Sequence, residues 1–562
     1  MFVKITASGS RRYVQLVESY RDDAGRVKKR TVATLGRVDQ LGGELDSVIS
    51  GLLKVAGREP LPAAPTVRFE SARALGDVWT LTELWKALGF SELRRVFRKT
   101  RHSTDVEALI RVMVFNRLCD PDSKLGVLRW LQTVALPEIE VTAITHQQLL
   151  RSMDALIDHR EAVDATVAGL LRPMIDQDLS VVFYDLTTIR SEGLSAQEHD
   201  VRQFGMAKEG LIARQFMLGV VQTAEGLPIY HEVFDGNAAE TKTLLPTLKT
   251  VLARFPSVRR LILVADRGLL SLDNLAALNA VRLASGQPLE FILAVPGRRY
   301  YEFAELLKPW HESSKGASAE VIGELAWHDL RLVVAHDPLR AAEQTQRRDE
   351  QIQGLIAQGE QWAGKLEGQD AGVKHRGRKL SDSGAKARFF HAVSEAHLSK
   401  IIKVDLAGEL FNYEIDDSTR ALAEMMDGKL LLVTNVADLT PEEIVRRYKS
   451  LADIERGFKV LKSELEIGPV YHRLPERIRA HATICFMALI LHRVMRMRLK
   501  AANAGLSPER ALEYLRRIQH HQIRLNAAAP ITGVSAVSPE QSAVLAALKV
   551  KKPVVSHQLA LL

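Results

Sequence analysis

The sequence predicts an α/β protein built on a mixed sheet and flanked by helical regions. Three observations carry this. Leu179 to Tyr184, Gln215 to Gln222, Leu261 to Ala265 and Phe291 to Val295 are short runs that are apolar at consecutive positions, the pattern of strands covered on both faces. Ala224-Glu225-Gly226 separates Gln215 to Gln222 from Pro228 to Phe234, which reads as a hairpin. Helical patterns at Thr241 to Phe255 and Leu272 to Leu283 fall between the later runs. The resulting order is β-β-β-α-β-α-β, with helices on both sides of a sheet.

Composition sets the frame. The chain has 562 residues, 46% hydrophobic and 26% charged, which excludes disordered and fibrous classes and implies several domains. Lys plus Arg is 76 against 68 Asp plus Glu, a net charge of +8. Such an excess suits a polyanionic partner, although many basic proteins bind no nucleic acid. The two cysteines, Cys119 and Cys485, exclude a disulfide framework and a cysteine zinc module. The N-terminus shows no signal-peptide pattern. Ala482 to Leu491 is half a membrane span and reads as a buried helix, so a cytoplasmic protein without a membrane partner is expected.

Along the chain, residues 1–60 read as a small β-rich module, with strands at Tyr13 to Ser19 and Val27 to Leu35 around the turn Asp22-Asp23-Ala24-Gly25. Leu61-Pro62-Ala63-Ala64-Pro65 is a linker signal. Residues 70–175 read as helical, from Leu81, Leu84, Leu88 and Leu93 and from Leu109, Val112, Met113 and Leu118. The arginine-rich Arg95 to Arg101 fits either a DNA-binding domain or a solvated helical face. Residues 179–296 and 440–500 form the sheet core, interrupted by an insertion at 297–439. The insertion should hold strands near 321–335 and 429–436, a helix over 339–367, and the basic loop Lys374-His375-Arg376-Gly377-Arg378-Lys379. Thr440-Pro441-Glu442-Glu443 is a capping box that opens a helix running to about Ile467, where Gly468-Pro469 stops it. Residues 501–562 read as a helical C-terminal region.

The chemistry sits on three carboxylates. Asp185 and Asp266 each close an apolar run, and a carboxylate there belongs at a cleft beside the sheet rather than in the core. One such residue alone reads more readily as a turn starter or helix N-cap, and it is the pair at matching strand ends that favours a site. On the helix opened by Thr440, helical periodicity puts Glu455, Lys459 and Lys462 on the same side as Tyr448, with Leu451 just beyond them. Ile454, Phe458, Leu461 and Leu465 form the adjoining apolar side. A Tyr/Glu/Lys stripe therefore borders the apolar stripe, although Glu455 and Lys459 also fit an ordinary helical ion pair. Asp185, Asp266 and Glu455 together offer hard oxygen ligands suited to Mg²⁺ or Mn²⁺. Two such ions would serve cleavage at a phosphodiester, with nearby lysines holding the backbone.

The segments Phe183-Tyr184-Asp185-Leu186-Thr187-Thr188, Asp235-Gly236-Asn237, Val264-Ala265-Asp266-Arg267-Gly268 and Tyr448-x2-Leu451-x3-Glu455-x6-Lys462 resemble the DDE transposases of bacterial insertion sequences, in the branch with a β-rich insertion before the catalytic glutamate. Leu451 stands where that family's helix signature, Tyr-x2-Arg-x3-Glu-x6-Lys, carries arginine. Lys449, Arg456 or Lys459 would supply the charge instead. Asp266 and Glu455 lie 189 positions apart, which leaves room for the insertion. Residues 1–50 and 100–135, with Phe115-Asn116-Arg117-Leu118 and Pro121-Asp122-Ser123-Lys124, also look family-like.

The resemblance implies a ribonuclease-H-like mixed-sheet core with a β-rich insertion, a helical N-terminal region and a small β module. It implies Asp185, Asp266 and Glu455 as the catalytic metal-binding triad for Mg²⁺ (or Mn²⁺). Tyr448 and Lys462 would contact the phosphate at the cut end, with Lys459 and Arg267 beside them. Asn237 would steady the loop next to the first metal. Lys374, Arg376, Arg378 and Lys379 read as a DNA contact or as a solvated loop. The implied reaction is hydrolytic nicking at terminal inverted repeats, followed by strand transfer into target DNA, by a homodimer in a bacterial cytoplasm, at the nucleoid when on DNA. Related members stack a flipped base on tryptophan; Trp310, Trp327 and Trp362 are the candidates in the insertion, each also suited to core packing. Competing readings are an inactive DNA-binding relative, a two-metal nuclease without strand transfer and, more distantly, a glycosidase with paired carboxylates.

Overall fold

The apolar runs become the centre of one mixed sheet because both of its faces are covered. The computed structural model describes residues 1–41, 45–58, 67–98, 104–175, 182–193, 195–206, 212–266, 272–372, 379–451, 457–525 and 529–553. The chain divides into two units, Met1–Ser71 with His521–Thr532, and Ala72–His520 with Gly533–Leu562.

In the first unit, β1 (Phe2–Ser8), β2 (Arg11–Arg21) and β3 (Val27–Arg37) form an antiparallel meander. The β2–β3 turn falls at the expected place. Asp22 Oδ1 accepts from the Ala24 and Arg26 amides, and Gly25 takes φ +75°, a conformation glycine adopts without strain. A helix, Leu45–Val55, follows. β4 (Val67–Ala74) carries the chain out of this unit.

The second unit holds helices between Gly76 and Leu171, then β5 (Val182–Arg190), β6 (Gln203–Met206), β7 (Ile212–Thr223), β8 (Pro228–Asp235), β9 (Ile262–Ala265), β10 (Glu290–Ala294), β11 (Val321–Trp327) and β12 (Leu330–His336). Further on, β13 (Ile402–Val404) pairs with β14 (Tyr413–Ile415), and β15 (Lys429–Thr434) returns to the main sheet. The sheet order is β11-β12-β15-β10-β9-β5-β7-β6, with β8 also on β7. β5 is parallel to β9 and β9 to β10, and every other pairing described in this sheet is antiparallel. The helices Glu240–Arg254 and Leu272–Asn279 stand between β8, β9 and β10, so the expected β-β-β-α-β-α-β order is present with β6 added.

Strand alternation sends Phe183, Val220, Val264 and Ile292 to one face and Tyr184, Val221, Leu263 and Phe291 to the other. The first face packs against the helix Pro475–Ala501, the second against Leu244, Leu248 and Val251. Burying each such large apolar side chain contributes about 1.5–3 kcal/mol. Pro475–Ala501 is, among the described residues, the one helix long and apolar enough to cross a membrane, and it is almost wholly buried within the protein.

Four expectations need correction. Residues 501–562 are not helical throughout, since Gln519–Leu525 and Ile531–Val534 are paired strands. β5 does not end at Asp185: Leu186-Thr187-Thr188-Ile189 continues it to Arg190, each residue paired with β7. The insertion is richer in helix than in strand, because the Ala/Gln/Glu/Arg composition of Pro338–Asp370 and of Asp382–Glu395 favours helix. Among its described strands, β11, β12 and β15 extend the main sheet. The helix opened by Thr440 runs from Pro441 to Lys449 and turns at Ser450, whose hydroxyl donates to the Arg447 carbonyl, rather than continuing to Ile467. Helical structure is described again from Gly457 and widens into a π-turn over Val460–Glu464.

Candidate active site

Asp185 and Asp266 come together through strand register. Tyr184 pairs with Ala265 between the parallel strands β5 and β9, so the next residue on each is an aspartate. Phe183 and Val264 belong to the core on one face. Alternation places Asp185 and Asp266 on that same face, on strands about 4.8 Å apart. Both are half-buried. Asp185 Oδ1 accepts from the Leu186 amide at 2.7 Å.

The helix Pro441–Lys449 covers this position. Thr440 Oγ1 accepts from the Glu443 amide at 3.2 Å, with Pro441 in the first turn. Glu443 turns to Arg447 at 3.0 Å, so the glutamate's role is an ion pair along the helix. Ile444 and Val445 are buried, and Tyr448 lies on the same side one turn on. Its hydroxyl donates to Asp266 Oδ1 at 2.9 Å. Leu451 is 7% exposed and packs in the core, as its side chain dictates in place of an arginine.

The other expected residues divide. Glu455, Arg267, Lys374, Arg376 and Arg378 lie outside the described residues. Lys459 is exposed, Lys462 half-buried in the π-turn, and Lys379 exposed. The stripe of Tyr448, Glu455, Lys459 and Lys462 assumes an unbroken helix, and the turn at Ser450 removes that basis. Asn237 is exposed and lies away from the aspartates. Asp185 pairs with Val220, and Val220 with His231, so the end of β8 at Asp235 is four residues, or about 13 Å, further along, and Asn237 follows in the turn beyond it. Gly236 is there for close packing: a Cβ on it would stand 1.9 Å from the Gln215 carbonyl oxygen. Trp310 and Trp327 pack on the main sheet's core and Trp362 against Phe389, as core residues.

Two residues are not singled out by the sequence reading. Gln222 is wholly buried on the face that carries Asp185, and its amide has no hydrogen-bond partner among the described residues. Arg493 is a buried guanidinium on the helix Pro475–Ala501. Gly457 packs against both: a Cβ there would stand 2.8 Å from Gln222 Nε2 and 3.1 Å from Arg493 Nη2. A polar residue inside an apolar run is the available signal in each case.

A His/carboxylate group that shares no member with the aspartate pair is also present. Glu464, His492 and Glu509 place one ligand atom each within 4.8 Å of one another. His492 Nε2 sits 2.5 Å from Glu509 and 3.1 Å from Glu464. Burial alone would lower the His492 pKa, but the two carboxylates outweigh it and hold the imidazole above its usual range. This is an ion-paired clasp between the π-turn and two C-terminal helices.

Comparison with known families agrees with the geometry. The Transposase DDE domain family matches residues 176–491, and the IS1634 family transposase, N-terminal domain, matches residues 3–65. No curated protein matches the chain. Among solved structures, a cryo-EM structure of the piggyBac transposase synaptic complex with hairpin DNA is similar at 10% identity and a TM-score of 0.34, over 78% of each chain. The chain belongs to the DDE transposases of insertion sequences. It is accordingly a DNA-acting polynucleotidyl transferase of a class that uses divalent metal ions.

Proposed function

We propose that this transposase binds the terminal inverted repeats of its insertion sequence, nicks them, and transfers the freed 3′-hydroxyl to target DNA, with Asp185, Asp266 and Glu455 as its catalytic residues. The observation that carries this is the pair Asp185 and Asp266, side by side on parallel strands with the Tyr448 hydroxyl on Asp266. The order β8-β7-β5-β9-β10 supports a ribonuclease-H-like core, three antiparallel strands followed by two parallel to the first. Tyr448 is anchored on Asp266 and Gly457 on Gln222, and these contacts fall on either side of β5. The two anchors bracket Glu455 in the chain and support it as the third carboxylate.

The donor set fits a hard cation: two half-buried carboxylates on one face, without a thiol or imidazole among them. Mg²⁺ or Mn²⁺ would be held by Asp185, Asp266 and Glu455 and, when bound, would activate the attacking water or 3′-hydroxyl and stabilise the leaving oxygen. Tyr448 fixes the rotamer of Asp266 through its hydrogen bond. Lys462, with Lys459 and Arg267, offers positive charge to the scissile strand, and the 374–379 loop offers more beyond it. Asn237 shapes the β8 end rather than the reacting centre. A homodimer would synapse two ends at the bacterial nucleoid. The N-terminal residues 1–60, the helices of 70–175, the core of 179–296 and 440–500, the insertion 297–439 and the C-terminal 501–562 would be its working parts.

The test is Asp185→Asn and Asp266→Asn, each assayed on labelled duplex carrying the element's end. Both should bind within a few-fold of wild type and lose Mg²⁺-dependent nicking. Nicking retained in either variant would remove that residue from the site.

A further inference from the structure

The motifs Phe115-Asn116-Arg117-Leu118 and Pro121-Asp122-Ser123-Lys124 have no part in the site above. They meet at a cavity of about 710 Å³ whose other wall is the chain from Glu466 to His481. This wall directly follows the π-turn that carries Lys462, and it is tied to the end of β5 by the Glu192 amide donating to the Val470 carbonyl at 2.8 Å. Arg117 joins the two walls. Its guanidinium donates to the Leu465 and Glu466 carbonyls at 3.4 and 3.2 Å and to the Asp122 carbonyl.

Lys124 lines the cavity and is 6% exposed, yet among the described residues its ammonium has no hydrogen-bond or ion-pair partner. Burial, with the Arg117 charge beside it, pushes its pKa down to about 7. The nearest acidic side chain on its own loop, Asp122, is already engaged by the Ser123 amide at 2.6 Å and by Arg129 at 3.1 Å. Arg477 is committed to Asp154 at 2.7 Å, and the His481 Nε2–H donates to the Ile467 carbonyl at 2.9 Å. Arg473 stands exposed at the mouth. Near neutral pH Lys124 therefore keeps its proton only in part, and a paired anion would favour the charged form. The cations Arg117, Lys124, Arg473 and Arg477 outnumber the lining carboxylates Asp122 and Glu466, so the cavity favours an entering anion.

We propose that this cavity seats a backbone phosphate of the bound DNA, with Lys124 as its buried ion-pair partner and Arg473 at its entrance. The proposal rests on the transposase reading. It assigns Lys124 to DNA positioning, apart from the carboxylates that carry out cleavage.

The experiment uses the full-length protein and a labelled duplex carrying the element's end, with each phosphate in turn replaced by a neutral methylphosphonate. One position should weaken wild-type binding about tenfold, and Lys124→Met should weaken the unmodified duplex similarly, with no further loss at that one position. The salt dependence of binding should flatten by about one phosphate in Lys124→Met, and Lys124→Arg should restore it. Lys124→Gln serves if the methionine variant unfolds, judged by thermal melting. A folded variant with wild-type affinity and salt slope, while the wild type binds and nicks its end, overturns the pocket and leaves the transposase reading intact. A wild type that neither binds nor nicks overturns both. Inorganic phosphate that binds calorimetrically in a Lys124-dependent way, without any methylphosphonate effect, assigns the cavity to a free anion and also overturns the proposal.

Discussion

Tyr448→Phe separates two roles for the hydroxyl that donates to Asp266. The resemblance assigns Tyr448 to a DNA phosphate, whereas its hydroxyl donates to Asp266 Oδ1 at 2.9 Å. Phenylalanine keeps the ring and its packing, so the change removes the hydroxyl and with it the hydrogen bond to Asp266. A hydrogen bond to a charged group is worth about 1.5–3 kcal/mol. If it serves to hold Asp266 in its working rotamer, that loss appears in the chemical step, at about tenfold for each 1.4 kcal/mol. The expected loss is therefore about ten- to a hundredfold in the single-turnover rate of Mg²⁺-dependent nicking, with DNA affinity changed less than about threefold. The assay is quenched single-turnover cleavage of end-labelled duplex, with binding measured separately in Ca²⁺. A wild-type rate in the variant refutes the positioning role. Weakened binding with an unchanged rate returns Tyr448 to the phosphate.

Other expectations follow from the same geometry. Gly236→Ala sets a methyl 1.9 Å from the Gln215 carbonyl and should cost about 3 kcal/mol in urea unfolding; a change under about 0.5 kcal/mol contradicts the close packing. His492 is held above its ordinary pKa by Glu464 and Glu509 against the effect of burial, so its protonated form stabilises the fold. That contribution is full below the unfolded value near 6.5 and fades as pH rises through the raised folded value. His492→Gln should therefore flatten the fall in melting temperature on the alkaline side, and parallel curves for the two proteins would contradict this. Thr440→Ala removes the acceptor for the Glu443 amide and should destabilise by about 1 kcal/mol, read by denaturant titration; an unchanged midpoint would mean the cap contributes nothing.

The central sheet is legible in the sequence because strands covered on both faces leave unbroken apolar runs, and Asp266 is legible as the residue that ends one. Asp185 stands out for an incomplete reason. The apolar run ends there, but Leu186 to Ile189 are themselves good strand residues, so it sits within β5 and meets Asp266 through register. Register between strands eighty residues apart leaves no local trace. The helix carrying Tyr448 announces itself by its cap, and its start is where the cap puts it. Its end is hidden because Ser450 offers its hydroxyl to a backbone carbonyl one turn back, a local competition that periodicity does not weigh. Asn237 looks near the site because its motif sits between the aspartates in sequence. The antiparallel run of β8 carries it to the other end. Arg117 and Lys124 are visible as motifs, but their meeting with the Glu466–His481 wall depends on chain segments over three hundred residues apart.

The most direct test of the account is Glu455→Gln, compared with wild type for Mg²⁺-dependent nicking of linear DNA carrying the element's own end. The account predicts end-specific nicking by the wild type, and a variant that binds the same end with similar affinity and leaves it uncut. Cleavage by the variant at the wild-type rate would contradict the assignment of Glu455 as the third carboxylate beside Asp185 and Asp266.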